Sequence, residues 1–453
     1  MEKKWEETLA EEKEEKLSPI QKQEAFLGKW ASGDGIKFAN DDAKTSYQYR
    51  AGLIKDAIQL KKSPDRVPIV PLAIFAPIML YGHSGKKAMY DPHTLGKTYV
   101  DYSRDYDADA TGVVPMVMYG PPLETLDYQL YKWPGHGLRD ELSYQFVEKE
   151  YMKADEYDHF IADPTDYWFR VWLPRTHGAL APLAQMPPIY GTMELPMAGP
   201  WLCTLGAPPI QEAYKALLEA GRQCFEWIGA LIPYMGEIMG SGYPIYAGGA
   251  TKAPFDLLGD SFRGTTALMM DLYRRPEKVL ETVNRMVPIM IGQGVGGAVA
   301  NNNPLVFMPL HKGADGFMSN KQFERFYWPS LKAVMMGIIE NGCVPCCFAE
   351  GGYNDRLEYL TELPKGQCVF IFDRTDMARA RKILGGKICI GGGFPISLIL
   401  TGSTQQVENE TRKLLDAAAG DGGYILSVGC AMDQAREDTL KTFIQTGKEY
   451  GKY

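Results

Sequence analysis

Three cysteines and a glutamate lie close together in the stretch NGCVPCCFAEGG, residues 341–352. Cysteine thiolates and carboxylates are zinc ligands, and cysteines this close could also form a redox pair. In an extended strand, however, successive side chains point to opposite faces, so Cys346 and Cys347 cannot both face one metal. We therefore predict that Cys343, Cys346 and Cys347 are buried core thiols. Glu350, at the end of the strand, is the residue available for chemistry.

Other side chains that could bind a metal or take part in catalysis lie in or directly after the neighbouring apolar runs. They are His311 and Lys312 after PLVFMPL, with Asp315 just beyond, then Asp373 in QCVFIFD, Cys389 in KICIGG and Cys430 in GYILSVGC. Glu350, Cys389 and Cys430 come from three strands, with gaps that fit neighbouring barrel strands and exclude a compact zinc finger. They predict a Zn²⁺ site with three protein ligands and one open position, as a catalytic zinc requires.

The remaining strand-end residues supply candidates for the reaction itself. We predict catalytic roles for His311, Asp315 and Asp373, and substrate binding by His311 and Lys312. Structural interpretations stay open as well. Glu350 could be a carboxylate stabilised at a helix N-terminus, and Asp373 could cap the helix predicted over TDMARARKILGG. Cys389 and Cys430 could be buried thiols.

Alternation of strands and helices predicts how these residues come together. In the last third of the chain, five apolar runs are each followed by a helical pattern, which is typical of a parallel sheet with crossover helices. In a (β/α)8 barrel, chemistry gathers at the C-terminal ends of the strands. The sequence thus predicts an α/β fold, a (β/α)8 TIM barrel over residues 66–453 with an N-terminal helical extension over residues 1–65. No GxGxxG follows the first strand, which disfavours a dinucleotide-binding sheet.

Bulk composition narrows the class of protein. The chain has 453 residues, 45% of them hydrophobic, and a formal net charge of −8, which disfavours nucleic acid as a partner. The most apolar helical run, CFEWIGALIPYMGEIMGSG, is broken by Pro233 and Glu237 and is too short to cross a bilayer. Eight cysteines without a signal peptide favour free thiols or metal ligands in a cytoplasmic protein.

The last third of the chain resembles the uroporphyrinogen decarboxylase superfamily, in particular its methyltransferase branch. The segments that carry the resemblance are FMSNKQFERFYWPSLKAVM, GCVPCCFAEGGYNDRLEYL, ELPKGQCVFIFDRTDMARARKILG, CIGGGFPISLILTGSTQQV and DGGYILSVGCAMDQAREDTL. Members that use coenzyme M carry a His-x-Cys pair after one strand and a cysteine at the last. Cys430 matches that last cysteine, whereas Phe348 and Glu350 stand in place of the pair.

This departure makes the chain more similar to the methyltransferase component of anaerobic corrinoid-dependent O-demethylases. The resemblance implies zinc as a cofactor, a methoxylated and aromatic small molecule as methyl donor, and a separate corrinoid protein whose Co(I) accepts the methyl group. Zinc near the ether oxygen would stabilise the charge on the leaving group. Decarboxylases of the superfamily hold their substrate with N-terminal arginines, and the first strand, VPIVPLAIFAP, has no arginine at its end. A homodimer is one possible assembly.

Two other functions remain open at this point. The chain could transfer methyl from a methylated corrinoid to a thiol or to tetrahydrofolate, or it could be a catalytically silent binding member of the superfamily. The motif DPHTLG, residues 91–96, spells the D-x-H-x-x-G signature of cobalt-binding corrinoid proteins. It precedes a helical pattern instead of following a strand, so we interpret Asp91 as a helix cap. The glycine-rich stretch GQGVGGAVANN, residues 292–302, is expected to be a loop.

Overall fold

The computed structural model describes residues 17–61, 65–112 and 117–453. The charged start of the chain, residues 1–16, for which the sequence predicts a helix, lies outside them. The strands are β1 (Tyr131–Pro134), β2 (Gly137–Leu138), β3 (Gln145–Phe146), β4 (Gly249–Ala250), β5 (Leu305–Leu310), β6 (Val344–Ala349), β7 (Val369–Phe372), β8 (Cys389–Gly392) and β9 (Tyr424–Ile425).

Helices make up most of the rest of the described chain. The α-helices are α1 (Pro19–Ser32), α2 (Asp41–Gln59), α3 (Ala76–Leu80), α4 (Gly85–Tyr90), α5 (Pro92–Tyr106), α6 (Gly120–Thr125), α7 (Tyr157–Ala162), α8 (Pro164–Tyr167), α9 (Leu173–Thr176), α10 (Leu195–Leu205), α11 (Pro208–Gly240), α12 (Pro254–Leu257), α13 (Thr265–Arg274), α14 (Pro276–Ala300), α15 (Asn320–Gln322), α16 (Trp328–Glu340), α17 (Leu357–Leu360), α18 (Met377–Leu384), α19 (Ile396–Thr401), α20 (Thr404–Ala418) and α21 (Glu437–Tyr450). Widened π-helical turns cover Trp168–Trp172, Leu258–Arg263 and Phe323–Tyr327, and 3₁₀ turns cover Gly178–Gln185 and Ile189–Thr192.

Six parallel strands form one sheet in the order β4-β5-β6-β7-β8-β9. Two extended segments, residues 66–73 and 109–112, complete the ring. Leu426, just after β9, pairs in parallel with Ile69, and the Asp109 N–H donates to the carbonyl of Ile69 at 2.9 Å. Thr111 in turn pairs in parallel with Ile245, just before β4. The hydrogen bonds therefore run through eight extended segments, which confirms the predicted barrel.

The barrel strands are almost entirely buried, because both faces of a parallel sheet are covered in this fold. Cys343, Cys346 and Cys347 are buried free thiols, as predicted. Helices α1 and α2 pack against the interior side chains of the barrel in a shared apolar cluster. Gln23 of α1 donates to the carbonyl of Cys343 at 2.8 Å, so these helices cover the N-terminal ends of the strands. The boundary at residue 65 stays a prediction.

The structure tests the predictions for two motifs outside the barrel strands, DPHTLG and the glycine-rich stretch of residues 292–302. The Asp91 carboxylate accepts the backbone N–H groups of His93 and Thr94 and caps α5, which confirms the interpretation of DPHTLG. The glycine-rich stretch is not a loop; residues 292–300 belong to α14. Two of its glycines let the helix approach the sheet, since a Cβ on Gly297 would lie 3.0 Å from Gly249 Cα in β4 and a Cβ on Gly294 would lie 2.9 Å from a Val306 methyl group in β5. Close helix–strand packing explains Gly294 and Gly297, whereas Gly292 and Gly296 have no such neighbour.

The middle third of the chain folds over the C-terminal ends of the strands. The predicted long loops are short helical turns between residues 168 and 205, followed by the long helix α11. The small sheet β2-β1-β3 is fastened to the barrel where Ser143 donates to the Asp433 carboxylate at 2.7 Å. No helix in the described parts of the chain is long and apolar enough to cross a membrane.

Candidate active site at the barrel mouth

The C-terminal ends of neighbouring strands bring three predicted residues together. His311 follows β5, Glu350 follows β6 and Asp373 follows β7. The His311 Nε2 lies 3.7 Å from Glu350 Oε1, and Asp373 accepts the backbone N–H of Gly351 at 3.0 Å. Parallel strand pairing explains this, because residues that end adjacent strands share one rim.

Asp260 orients the imidazole of His311. Its Oδ2 lies 2.5 Å from His311 Nδ1, so the other ring nitrogen faces Glu350. Asp260 is also held by Lys252 at 2.7 Å and by Lys312 at 2.9 Å. It sits in the widened turn Leu258–Arg263 after β4, and such turns commonly re-aim side chains at functional sites.

Asp256 fixes the backbone at the end of β5. Its fully buried carboxylate accepts the N–H groups of His311 at 3.0 Å and Lys312 at 2.8 Å, and the Tyr327 hydroxyl at 2.8 Å. Burial raises the pKa of Asp256, and the neighbouring Asp260 adds to that rise. Three donors to one carboxylate leave the start of this loop little freedom.

The electrostatics of the mouth favour protons on His311 and Glu350. Burial alone would lower the pKa of His311, but the hydrogen bond to Asp260 and the charges of Asp256 and Asp260 outweigh it, so the pKa is raised. The pKa of Glu350 is raised mainly by burial, although the His311 charge opposes this. The Glu350 side chain still keeps 45% of its surface accessible, so a ligand can reach it.

The other predicted residues have different surroundings. Lys312 is buried, and its ammonium group bonds Asp260 and the Thr265 hydroxyl. It therefore stabilises the residue that orients His311 and is not exposed to a substrate. Asp315 accepts the backbone N–H of Asp355 at 3.2 Å, which ties two loops together outside the His311–Glu350 pair. Asp373 does not cap α18; Asp376 does. Asp373 instead holds the backbone just after Glu350.

The predicted zinc ligands do not come together. Cys389 is the first residue of β8, not the last, and pairs with Val369, the first residue of β7. It is buried near Cys346 and Cys368 at the N-terminal side of the barrel, roughly 10 Å of strand away from the mouth. The error arises in KICIGG, where two glycines extend the strand beyond the last side chain. Cys389 and Glu350 therefore cannot bind the same metal ion.

Cys430 does lie near the mouth. Burial, with the charges of Asp373 and Glu350, raises the pKa of its thiol to about 11. Within the described ranges, no three His, Cys, Asp or Glu side chains are arranged to hold a metal ion. The donor set Glu350, Cys389 and Cys430 thus does not fit zinc, and zinc itself stays a prediction.

Sequence reasoning missed Lys252, Asp256 and Asp260. They follow β4, which has only two residues and lies in the part of the chain without a clear strand pattern. One signal was available, because the two aspartates in PFDLLGD are four residues apart and so share one helical face.

Comparisons with known proteins agree with this architecture. Residues 239–450 match the family model for uroporphyrinogen decarboxylase. A uroporphyrinogen decarboxylase of Syntrophotalea carbinolica is 27% identical over 188 residues, which are 40% of this chain and 52% of that protein. The matched part is about half of the curated relative. A methyltransferase from Methanosarcina mazei has a similar structure, with a TM-score of 0.57 and 12% identity over 89% of this chain and 98% of that one.

The family match covers β5 to β9 and the strand ends that carry His311, Glu350 and Cys430. The chain is therefore similar to uroporphyrinogen decarboxylase over residues 239–450, and it shares its fold with a methyltransferase.

Proposed function

We propose that this protein is a methyltransferase that moves a methyl group from a methoxylated, aromatic compound to the Co(I) of a separate corrinoid protein. The observation that carries the proposal is the His311–Glu350 pair, oriented by Asp260 at the barrel mouth. A methyltransferase as structural neighbour and the resemblance described above support the choice of reaction class.

The difficulty of this reaction lies in the leaving group. A phenolate leaves a methyl group poorly unless its developing charge is neutralised. His311 and Glu350 both have a raised pKa and lie within 3.7 Å of each other, so together they can hold one proton where the ether oxygen would sit. As the nucleophile takes the methyl group, the C–O bond breaks and this proton goes to the departing oxygen.

The surrounding residues keep the proton donor in position. Asp260 accepts from His311 Nδ1, which leaves Nε2 as the nitrogen that faces the substrate side. Burial would raise the pKa of Asp260, but the hydrogen bond to His311 and the charges of Lys252, His311 and Lys312 hold it well below its usual range, so this carboxylate stays ionised. An ionised Asp260 in turn favours the protonated imidazole.

A labelled donor tests the proposal. The protein is incubated with chemically reduced free cobalamin as methyl acceptor and with methoxybenzenes whose methoxyl group carries deuterium. We expect the demethylated phenol and labelled methylcobalamin in equal amounts by mass spectrometry. Turnover with a methylated cobalamin and a thiol, but with none of the ethers, would contradict the proposed direction of transfer.

A further inference from the structure

A cavity of about 430 Å³ lies among the residues that fold over the barrel, and neither His311 nor Glu350 lines it. Part of its lining is aromatic. The ring centroids of Tyr128 and Tyr131 are 6.1 Å apart, and those of Tyr131 and Tyr144 are 5.5 Å apart. The remaining wall consists mainly of methionine, leucine and proline side chains between residues 89 and 126. Its size is in the range of small-molecule sites.

This cavity borders the barrel mouth. Tyr144 packs edge-on against Phe75, just after the first barrel segment, with ring centroids 5.3 Å apart. The adjoining Ser143 donates to Asp433 at 2.7 Å. Lys252 and Asp260 are close enough for their charges to act on the Tyr131 phenol. Tyr131 therefore lines the cavity and also lies within electrostatic range of the group that orients His311.

Within the described parts of the chain, the cavity offers no cationic group to balance an anion. Among the described residues that line it there is no Asp, Glu, Lys or Arg. Its one histidine, His177, has a pKa lowered to about 4 by burial and is neutral near pH 7. A carboxylate placed there would lose its hydration without gaining an ion-pair partner. A flat uncharged ring would stack on the tyrosines and contact the thioethers.

We propose that this cavity binds the ring of the methyl donor and selects methoxylated aromatics that carry no anionic group. The role of the ligand as methyl donor rests on the proposed function, whereas its binding does not. Tyr131 would position the ring so that a methoxyl substituent points toward the His311–Glu350 pair.

Calorimetry without any methyl acceptor tests the binding preference directly. The probes are 1,2-dimethoxybenzene and 3,4-dimethoxybenzoate. We expect the neutral ether to bind at least about tenfold more tightly than the benzoate, since burying an unpaired carboxylate costs more than ~1.4 kcal/mol. Equal or tighter binding of the benzoate would overturn the proposal.

A matched pair of variants locates the preference in the cavity. Met118 lines it and is 41% exposed, whereas Met270 is 42% exposed and does not line it. Met118→Lys should improve benzoate binding and weaken binding of the neutral ether, while Met270→Lys should change neither. Identical behaviour of the two lysine variants would place the ligand elsewhere.

Different results would refute the proposed methyl transfer and the cavity assignment. Selective binding of the neutral ether without methyl transfer to cobalamin would refute the proposed function and leave the cavity assignment standing. Methyl transfer from 3,4-dimethoxybenzoate as efficient as from the neutral ether would refute the cavity assignment and leave the proposed function standing.

Discussion

His311 turns one ring nitrogen to Asp260 and the other to Glu350, so Asp260 determines both the orientation and the charge of the imidazole. This arrangement separates the two tasks of the site. The buried carboxylates Asp256 and Asp260 hold the loop and the ring, and Glu350 stays accessible to a ligand.

Replacing Asp260 tests that separation. Asp260→Asn should lower kcat on the order of 10²-fold, because it removes the group that keeps His311 protonated. The alkaline limb of the pH–rate profile should move to lower pH, since Asp260 raises the pKa of His311 and the donor must be protonated. Asp315→Asn is the control, as its carboxylate serves a loop contact. A profile in Asp260→Asn that keeps the parent's alkaline limb would argue against His311 as proton donor.

The position of Cys389 makes a second residue-level prediction. Because its thiol is buried at the N-terminal side of β8, Cys389→Ser should leave the metal content of the purified protein unchanged. Metal analysis by mass spectrometry measures this, and Glu350→Gln serves as the comparison at the mouth. Loss of bound zinc in Cys389→Ser, with the fold preserved, would restore the ligand set that the sequence predicts.

At the scale of elements, the turn Leu258–Arg263 links the site to its surroundings. The Arg263 side chain is 3% exposed and bonds Asp271 at 2.8 Å and Glu150 at 2.5 Å. It therefore fastens the turn that carries Asp260 to α13 and to the segment before α7.

Loss of this buried arginine should destabilise the fold. Arg263→Met leaves the buried Asp271 with Arg275 as its remaining charged partner, so we expect the free energy of unfolding to fall by about 3 kcal/mol, the low end for a broken buried ion pair. Arg104 also bonds two aspartates but is 64% exposed, so Arg104→Met should leave the unfolding midpoint nearly unchanged. Urea unfolding followed by circular dichroism compares the two. Equal losses would mean that the buried network is not what holds the turn.

The elements differ in how well the sequence predicted them. The five strands from β5 to β9 were predictable because each is an apolar run followed by a helical pattern, and three of these helices begin at a capping side chain, Ser319, Asp376 or Ser403. The first barrel segment was also recognisable in VPIVPLAIFAP, whereas the second is short and β4 has two residues, so local patterns carry little information for those two. Glu350 and His311 were found because they follow long strands. Cys389 was misplaced because Gly391 and Gly392 show no side chain that marks the strand end.

At the scale of the whole molecule, the part that folds over the barrel contributes its own pH dependence. His177 is packed against Tyr128 and Trp172, with ring centroids 4.9 Å and 6.0 Å apart, and burial lowers its pKa to about 4. In the unfolded chain a histidine titrates near pH 6.5. The unfolded state thus binds more protons between these values, and stability falls as the pH falls through this window.

His177→Gln should remove this part of the acid sensitivity. Between about pH 6.5 and 4, the parent should lose on the order of 1 to 2 kcal/mol more stability than the variant, after allowance for partial solvent screening. His93→Gln, at an exposed position, should behave like the parent. Thermal unfolding at a series of pH values measures the difference. Parallel curves for the parent and His177→Gln would show that His177 titrates normally in the folded state.

The whole account depends on methyl transfer at the barrel mouth, and one measurement addresses it most directly. Chemically reduced cobalamin is mixed with 1,2-dimethoxybenzene and the protein, and the absorbance change from Co(I) to methyl-Co(III) is followed. The account predicts a protein-dependent conversion that slows by about 10²-fold in Glu350→Gln and in His311→Gln while both variants remain folded. Conversion at the parent rate in both variants would contradict it, because the His311–Glu350 pair would then have no part in the reaction.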